Sequence, residues 1–535
     1  MSSKEQNVTQ RADGGDSRAA DDRGPADGGV VDGRRAGLVV ATLCLSVVVV
    51  IAGVAGITVA IPTIGQELAA SQSELQWIID SYAILLAALL LPAGALGDRF
   101  GRRRLMVVGW VVFVAASLWS ATTSDTTTLI LTRGVAGAGA ALIFPGTLST
   151  ITNVIPASQR TRAVAAWTVS ASIGGTIGSV GSGALIEQFW FGSIFLLFAV
   201  VGGICAVLTA MVVPETSDPD HANVDPVGSV LSIVGIGGLT LGIIEGPTKG
   251  WSSGLVVAGL VAGAIGLIGF VLWELRTRTP LLDVRLFRLR GFSTGSVSIF
   301  LQFFAAFGFF FTASQYLAFV FGYGPLGIGL GLLPIGLSIP LASAAAPALI
   351  NRFGRGPTGA VGLAVLGAAA AMFAVIAGGD SYLVFAVAVL VFGAGFGLAA
   401  PPATEAIVEA LPREKQGVAS AINDVTRELG GALGIAIVGS AFTSGYRRAI
   451  DDSEALPAEL APVVRDSAGA GLAIAEQGGP EAPAIVAAVN DGATTGYTSA
   501  MWLAAAAAVV GAVYVAVRTP ATGSEAVALD DVGSG

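Results

Sequence analysis

Five ionisable residues lie inside apolar stretches of the chain, where a charge is costly and often marks a functional site. These candidate proton-coupling residues are Asp80, Arg133, Asp424, Arg427 and Glu428. On one helix, Asp424 and Glu428 share a face, and Arg427 neighbours Asp424 at the i+3 position. Two carboxylates beside one guanidinium can titrate near neutral pH once water is excluded. A structural ion-pair network is the alternative interpretation, and it stays open.

Other reactive side chains are scarce. Cys44 and Cys205 both lie in apolar runs, which excludes a disulfide framework and a cysteine-rich metal site. The single histidine, His221, lies in a polar segment, so neither a histidine-ligated metal nor a Ser-His-Asp triad is expected. The net charge of −9 lies mostly in tails and loops, which indicates solvation rather than recognition of a basic partner, and no nucleic-acid partner is expected. The sequence predicts no metal, no cofactor and no enzymatic activity.

The elements that carry these residues are long apolar runs. Hydrophobic residues make up 53% of the 535 residues and charged residues 12%, against about 25% charged in ordinary soluble domains. Fourteen runs approach the ~20 residues that span a bilayer as a helix. They cover residues 38–61, 74–96, 106–122, 127–149, 164–185, 193–213, 226–246, 253–274, 293–319, 326–349, 358–378, 382–404, 417–442 and 497–517. The sequence therefore predicts an all-α integral membrane protein.

The distribution of Lys and Arg predicts the orientation. With an internal N-terminus, 22 of the 28 basic residues lie in inner segments and 4 in outer ones. Both termini are therefore expected in the cytoplasm of a multi-pass cell-membrane protein. Residues 1–36 are expected to be a disordered cytoplasmic tail, 446–495 an extracytoplasmic loop, and 518–535 a second cytoplasmic tail.

Two inner hairpins repeat one motif. GALGDRFGRRR (94–104) and ALINRFGRGP (348–357) share Arg-Phe-Gly-Arg, which fits two parallel halves around a central cavity. In the first hairpin the glycines permit a tight turn, and an acid can contact a neighbouring helix N-terminus. A basic anchor at the lipid headgroups is the alternative. The candidate gating residues are Gly94, Gly97, Asp98, Arg99, Gly101, Arg102 and Arg103.

At this hairpin the chain resembles the major facilitator superfamily, in which the corresponding loop latches two halves in the outward-open state. The segments LPREKQGVASAINDVTRELGGALG (411–434), IIEGPTKGW (243–251) and PLLDVRLF (280–287) are similar to the fourteen-helix drug:proton antiporter branch. The resemblance implies six-helix halves over 37–215 and 291–517. It also implies two inserted helices and a basic cytoplasmic linker over 216–290.

Three departures from that family bear on proton coupling. The fifth run carries Gly174, Gly178 and Gly183 at antiporter-like spacing, but Ser179 replaces the proline that kinks this helix. Simple close packing of small residues is the alternative. The Arg of the fourth run is followed by Ala136 instead of Gln, and Gly53 stands where the first helix has an Asp.

Helix depth suggests a substitute for the missing acid. Asp80 lies nine residues after Ser71, and Arg133 lies nine after Ser124, two residues that suit helix caps. At 1.5 Å per residue both lie about 13 Å below the outer helix ends. We therefore expect Asp80 to supply the carboxylate and to pair with Arg133. Exposure of Asp80 to an outer water-filled vestibule is the alternative.

The ninth run is rich in aromatic residues. Phe303, Phe307, Gln302 and Gln315 are candidates to line a pocket for an amphipathic ligand, although lipid-facing packing also explains them. The resemblance implies export of small amphipathic drugs or antibiotics by proton antiport through alternating access, by a monomer in the lipid bilayer. The alternatives are a narrow-specificity metabolite exporter or an uncoupled facilitator and, remotely, an intramembrane enzyme.

Overall fold

The computed structural model describes residues 33–217, 225–277, 280, 282, 284–379, 381–410 and 416–519. All regular elements in these ranges are helices, and most of both predicted tails lies outside them. They are α1 (Gly33–Glu67), α2 (Gln72–Phe100), α3 (Arg102–Thr122), α4 (Thr126–Val154), α5 (Ala157–Gln188), α6 (Gly192–Val212), α7 (Pro226–Lys249), α8 (Gly254–Glu274), α9 (Arg290–Phe319), α10 (Pro325–Gly331), α11 (Leu333–Phe353), α12 (Arg355–Ile376), α13 (Tyr382–Glu409), α14 (Gln416–Asp451), α15 (Ala461–Asp466), α16 (Ala468–Ala475) and α17 (Ala482–Arg518), with a 3₁₀ turn at Val284–Arg288.

The number of long helices agrees with the predicted membrane architecture. In the described residues, thirteen stretches are long and apolar enough to cross a membrane, with α10 and α11 counted as one broken span. Helix α5 has 32 residues, enough to span a bilayer, and packs along α1. Together these helices are compatible with fourteen spans. The chain is a multi-pass, all-helical membrane protein.

Caps explain where two of the key helices begin. Ser71 and Glu74 form the predicted capping box of α2, with Ser71 N donating to Glu74 Oε2 over 2.8 Å. The cap of α4 is Asp125 and not the expected Ser124: its carboxylate accepts from Thr128 N at 2.7 Å. The hydrogen bond from the Thr128 hydroxyl, together with this amide contact, lowers the pKa of Asp125. Asp caps better here because its carboxylate reaches the N3 amide and carries a charge that favours the helix N-terminus.

Buried side chains form two large apolar cores. One is built almost entirely from α1–α6, which we call the N-terminal half, and the other almost entirely from α9–α17, the C-terminal half. A few side chains cross over: Phe311 packs in the first core and Val59 in the second. This division leaves α7 and α8 outside both cores.

Helices α7 and α8 form a hairpin packed against both halves. A Cβ on Gly238 of α7 would lie 2.7 Å from the Gly263 nitrogen of α8, so glycine is what allows the two backbones to approach. Toward the halves, Trp77 Nε1 of α2 donates to Glu245 Oε1 at 3.1 Å, and Ser440 Oγ of α14 donates to the Ile243 carbonyl at 2.7 Å. Helix α7 therefore bridges α2 and α14.

The segment predicted as a loop over 446–495 is largely helical, which corrects its boundaries. Helix α14 continues to Asp451, α17 begins at Ala482, and α15 and α16 lie between them. Alanine-rich sequence has high helix propensity, so these spans extend beyond their apolar cores. Ser467 Oγ donates to the Ala70 carbonyl at 2.8 Å, which joins α16 to the hairpin between α1 and α2.

Candidate functional site

The predicted trio on α14 forms one connected ion-pair cluster. Arg427 Nη2 lies 3.4 Å from Asp424 Oδ1, and Arg427 Nε lies 3.4 Å from Glu428 Oε1. The arginine and aspartate side chains are each 14% exposed and the glutamate 7%, so water screens the charges weakly. Asp424 and Arg427 are three positions apart on α14, and Glu428 directly follows Arg427 in sequence. We call these three residues the Arg427 cluster.

Aromatic rings from both halves cover the Arg427 cluster. The Arg427 guanidinium carbon lies 5.3 Å from the ring centre of Phe144 on α4 and 5.6 Å from that of Phe303 on α9. Phe303 in turn packs edge-on against Phe396 of α13 and beside Phe307. Cation–π contacts of this kind are stronger when desolvated. Two of the four predicted pocket residues therefore lie at this cluster.

The two predicted glutamines lie elsewhere. Gln302 is buried, and its Nε2 donates to Ser298 Oγ at 2.9 Å on the same helix. Gln315 lies 13 residues further along α9, about 20 Å along the axis, and is also buried. The structure does not bring Gln302, Gln315 and the Phe303–Phe307 pair into one pocket.

Arg133 is fully buried between α4 and α2. Its Nε donates to the Ile78 carbonyl at 3.1 Å, and its guanidinium carbon lies 4.4 Å from the ring centre of Tyr82. The Tyr82 hydroxyl donates to the Val50 carbonyl of α1 at 3.2 Å. A Cβ on Gly53 would lie 3.8 Å from that hydroxyl, so the helix-1 position and Arg133 are at one level, as predicted from depth.

The predicted ion pair between Asp80 and Arg133 is not formed. Arg133 contacts Ile78 and Tyr82, and Asp80 is two positions from each, about 200° around the helix. Asp80 therefore faces the opposite side of α2. Both of its carboxylate oxygens are buried and have no hydrogen-bond partner among the described residues. The expectation failed because depth fixes a level and not a helix face.

Comparison with known proteins places this architecture in a family. Residues 43–435 match the model described as the Major Facilitator Superfamily. The chain belongs to the major facilitator superfamily. It is a membrane transporter and not an enzyme.

Individual superfamily members agree with this assignment. The multidrug efflux pump LfrA of Mycolicibacterium smegmatis is 32% identical over 90% of this chain and 96% of its own length. The methylenomycin A resistance protein of Streptomyces coelicolor is 33% identical over 75% of this chain and 83% of its own. The crystal structure of the POT family transporter PepTSo shares the fold, with a TM-score of 0.62 at 15% identity over 91% of this chain and 97% of that one.

The superfamily's characteristic hairpin between α2 and α3 is fixed by a residue that the sequence reasoning missed, Glu215. Gly101 has φ +105°, and a Cβ there would lie 2.5 Å from Glu215 Oε1, so only glycine fits. Glu215 accepts from Arg103 N at 3.1 Å, and its Oε2 lies 3.5 Å from Arg103 Nε. The signal for Glu215 was that it directly follows the sixth span, on the same predicted inner face as the arginine-rich hairpin.

The other predicted gating residues surround this contact. Arg102 N donates to the Thr216 carbonyl at 2.9 Å, Gly97 packs beside Leu105 of α3, and Gly94 packs beside Pro145 of α4. Arg99 is exposed, with its guanidinium over the Phe100 ring. The Asp98 side chain lies outside the described residues. The hairpin is thus attached to the end of α6 within the N-terminal half.

The glycines of α5 allow its backbone to approach neighbouring helices closely. A Cβ on Gly174 would lie 2.8 Å from the Val48 carbonyl, and one on Gly178 would lie 2.6 Å from Ala52 Cα, both on α1. A Cβ on Gly183 would lie 2.5 Å from the Pro325 carbonyl at the start of α10. The same glycine stripe therefore packs α5 on α1 and joins the N-terminal half to the C-terminal half.

Proposed function

We propose that this chain exports amphipathic organic compounds, such as drugs or antibiotics, by proton antiport through alternating access. The observation that carries the proposal is the Arg427 cluster, where two carboxylates and one guanidinium meet an aromatic ring from each half. A movement of one half against the other separates Phe144 from Arg427 and so changes the environment of both acids. Two relatives are named for multidrug efflux and for antibiotic resistance, which supports an organic substrate.

The chemistry of the Arg427 cluster suits an amphipathic compound. The Phe303 and Phe396 rings provide apolar surface, while Asp424 and Glu428 provide negative charge within one helical turn. A cationic substrate can replace Arg427 as the partner of these acids, and protonation of an acid releases that substrate. Substrate and proton then compete for the same carboxylates, which is the requirement for antiport.

Transport further requires a direction and a topology. We propose that both termini lie in the cytoplasm, that 37–215 and 291–517 move as the two halves, and that one chain is the working unit. The basic residues around Gly101 and Arg103 then lie at the inner membrane face. A reporter fused at residue 525 is expected to be active in the cytoplasm, and one fused near 480 outside it.

An uncoupled facilitator is the second candidate, and one observation favours it. The helix-1 position that the family fills with an acid is Gly53, next to Tyr82 and Phe113. Without that carboxylate, coupling depends on Asp80 and on the Arg427 cluster.

Proteoliposomes that contain the purified protein separate the two candidates. Ethidium uptake into these proteoliposomes, through protein inserted with its cytoplasmic side facing outward, is measured with an imposed proton gradient. The measurement is made with and without a proton uncoupler. Antiport predicts accumulation against the ethidium gradient that the uncoupler abolishes. Equilibration at the same rate in both conditions would establish a facilitator and overturn the antiport proposal.

A further inference from the structure

Three buried polar side chains follow one face of α2. Gln72, Gln76 and Asp80 are spaced four residues apart and are 2%, 0% and 0% exposed. Both amide atoms of Gln72, the Oε1 of Gln76 and both carboxylate oxygens of Asp80 lack a hydrogen-bond partner in the described part of the chain. Buried polar groups in proteins are nearly always hydrogen-bonded to protein or to water. A line of five such atoms therefore indicates a hydrated path.

This line begins at the end of α2 that follows α1. We call that end the outer side because it is predicted to be extracytoplasmic. Gln72 is the first residue of α2, and Asp80 is about 12 Å further in. Midway, Gln76 Nε2 donates to Thr443 Oγ1 of α14 at 3.1 Å, a contact between the two halves. The line therefore leads from the outer side, through the contact between the halves, to a buried acid.

Helix α9 contributes a third amide at the same place. A Cβ on Gly439 of α14 would lie 2.7 Å from Gln76 Nε2 and 3.0 Å from the Phe311 ring of α9, so the three helices meet at Gly439. Gln315 is one turn outward from Phe311 on α9, as Gln72 is one turn outward from Gln76 on α2. Gln315 is fully buried, and neither of its amide atoms has a partner among the described residues. Two amides therefore lie outside the constriction at Gly439, and Asp80 lies inside it.

In the described residues, the charged groups of the neighbouring helices lie away from this path or are paired with other residues, so Asp80 is the acid at its inner end. Arg133 of α4 lies on the opposite face of α2, and Glu245 of α7 is engaged by Trp77 and by Lys249. On α14, Glu428 is 11 residues inward of Gly439, about 16 Å along the helix and so about 10 Å deeper than Asp80, and it is paired with Arg427. Arg447 is two turns outward of Gly439 and is paired with Asp466. Helices α1 and α3 carry their charged residues near their ends.

We propose that Gln72, Gln315 and Gln76 form the proton-access route from the outer side to Asp80. Each amide orients a water molecule through its carbonyl oxygen and its N–H groups. A hydronium ion outside gives its proton to the first water, and the last water gives a proton to the Asp80 carboxylate. The products are a neutral carboxylic acid and one water, so charge and atoms balance. Gln76 is the controlling position because it lies at the constriction.

This inference rests on the proposed antiport. The test distinguishes failure of the glutamine route from failure of proton antiport itself. Proteoliposomes carrying wild type, Gln76→Leu or Gln302→Leu are compared for ethidium-driven proton release, with a pH dye, and for ethidium counterflow without a proton gradient. Gln302 is the matched control: it is buried, its Nε2 donates to Ser298 Oγ within the C-terminal half, and its Oε1 has no partner among the described residues. We expect Gln76→Leu to slow proton release about tenfold, the effect of a barrier ~1.4 kcal/mol higher, with counterflow retained. Gln302→Leu is expected to retain both.

Two further variants keep the inference falsifiable. Thr443→Val removes the hydrogen bond between the halves but leaves the Gln76 amide, and it is expected to retain proton release. An equal loss in Thr443→Val and Gln76→Leu, or unchanged proton release in Gln76→Leu, would overturn the route. Gln315→Leu, on a different helix, is expected to slow proton release as well and replaces Gln76→Leu if that variant does not fold.

Infrared spectroscopy gives a readout that does not depend on transport. An outside acid pulse is expected to produce a protonated-carboxyl band in wild type that is missing in Asp80→Asn and delayed in Gln76→Leu. If wild type releases no protons with ethidium but the band appears and is delayed as stated, antiport fails while the route stands. A band that appears at the wild-type rate in Gln76→Leu overturns the route.

Discussion

Asp80 and the Arg427 cluster are two buried acidic sites with opposite surroundings. Asp424 and Glu428 each have a guanidinium nitrogen at 3.4 Å, and two aromatic rings cover that guanidinium. Asp80 is buried more deeply, yet its oxygens have no partner in the described residues. Both sites lie where α14 of the C-terminal half meets the N-terminal half.

The difference separates two uses of a buried carboxylate. A fixed cation stabilises the charged form of a neighbouring carboxylate, which then resists protonation. Removal of that cation leaves an uncompensated buried charge. An acid without a fixed partner can gain or lose a proton with little rearrangement around it. By this comparison a proton reaches the acids of the Arg427 cluster only when Arg427 is displaced from them, whereas Asp80 has no partner among the described residues to lose.

Removal of the central arginine is expected to have the largest effect. Arg427→Met leaves Asp424 and Glu428 buried without a counter-charge, and we expect a loss of about 3 kcal/mol of stability together with loss of ethidium efflux. The measurements are thermal unfolding in detergent and efflux from proteoliposomes. Wild-type stability of Arg427→Met would show that the two acids do not need the cation.

The control for that change neutralises the whole cluster. Arg427→Met combined with Asp424→Asn and Glu428→Gln removes all three charges, so most of the lost stability is expected to return because no buried charge is left unpaired. Efflux is expected to stay absent. If stability does not return, the loss in the single variant comes from packing against Phe144 and Phe303 and not from charge.

Asp80→Asn is expected to give the converse result, lost coupling with unchanged stability. No ion pair is broken by this change, and an amide is less costly to bury than a carboxylate. Ethidium-driven proton release is expected to disappear while the unfolding temperature stays at or above that of wild type. A marked drop in unfolding temperature would show that Asp80 has a structural partner after all.

The face of α2 also predicts that Gly53→Asp does not rescue Asp80→Asn. A carboxylate at Gly53 lies beside Tyr82, on the Arg133 side of α2, whereas Asp80 lies on the α14 side. The added acid is expected to pair with Arg133 and to leave proton release absent. Recovery of proton release in the double variant would show that proton release depends on the depth of the acid in the membrane and not on the face of α2 that it occupies.

Local sequence spacing predicted the features that one helix determines by itself. The Ser71 capping box and the Asp424–Arg427 contact follow from positions three residues apart on a helix. Glu428 is adjacent to Arg427 in sequence, and the long helices follow from the apolar runs. The separation of Gln302 from Gln315 was also readable, because 13 residues of helix place them about 20 Å apart.

Contacts that depend on which helices pack together could not be predicted from the sequence. The side on which Asp80 lies depends on α14 and α7 packing on one face of α2 and α4 on another. Glu215 contacts Arg103 across 112 positions in the chain, and no local pattern encodes that distance. The helices inside 446–495 were missed because their apolar runs are shorter than a span.

Packing is expected to contribute more to stability than the unpaired acid, and a matched glycine pair tests this. Gly178→Ala brings a methyl to within 2.6 Å of Ala52 Cα, so we expect a loss of about 1–3 kcal/mol from overpacking. Gly181→Ala, one turn further on the same helix, meets open space and is expected to be neutral or slightly stabilising. Equal unfolding temperatures for the two variants would contradict the close α1–α5 contact.

The smallest expected effect concerns the residue that holds Arg133 in place of Asp80. Tyr82→Phe removes the hydroxyl bond to the Val50 carbonyl but keeps the ring beneath the guanidinium, so we expect a loss of about 1 kcal/mol or less. Tyr82→Leu removes the ring as well and is expected to lose more, because the cation–π contact disappears. Thermal unfolding and ethidium efflux are measured for both. If Tyr82→Leu matches Tyr82→Phe in both measurements, the ring does not stabilise Arg133, and the cation needs another partner during transport. An acid would then have to approach Arg133 in another state of the transporter, and the contrast between a paired cluster and an unpaired acid would hold for only one state.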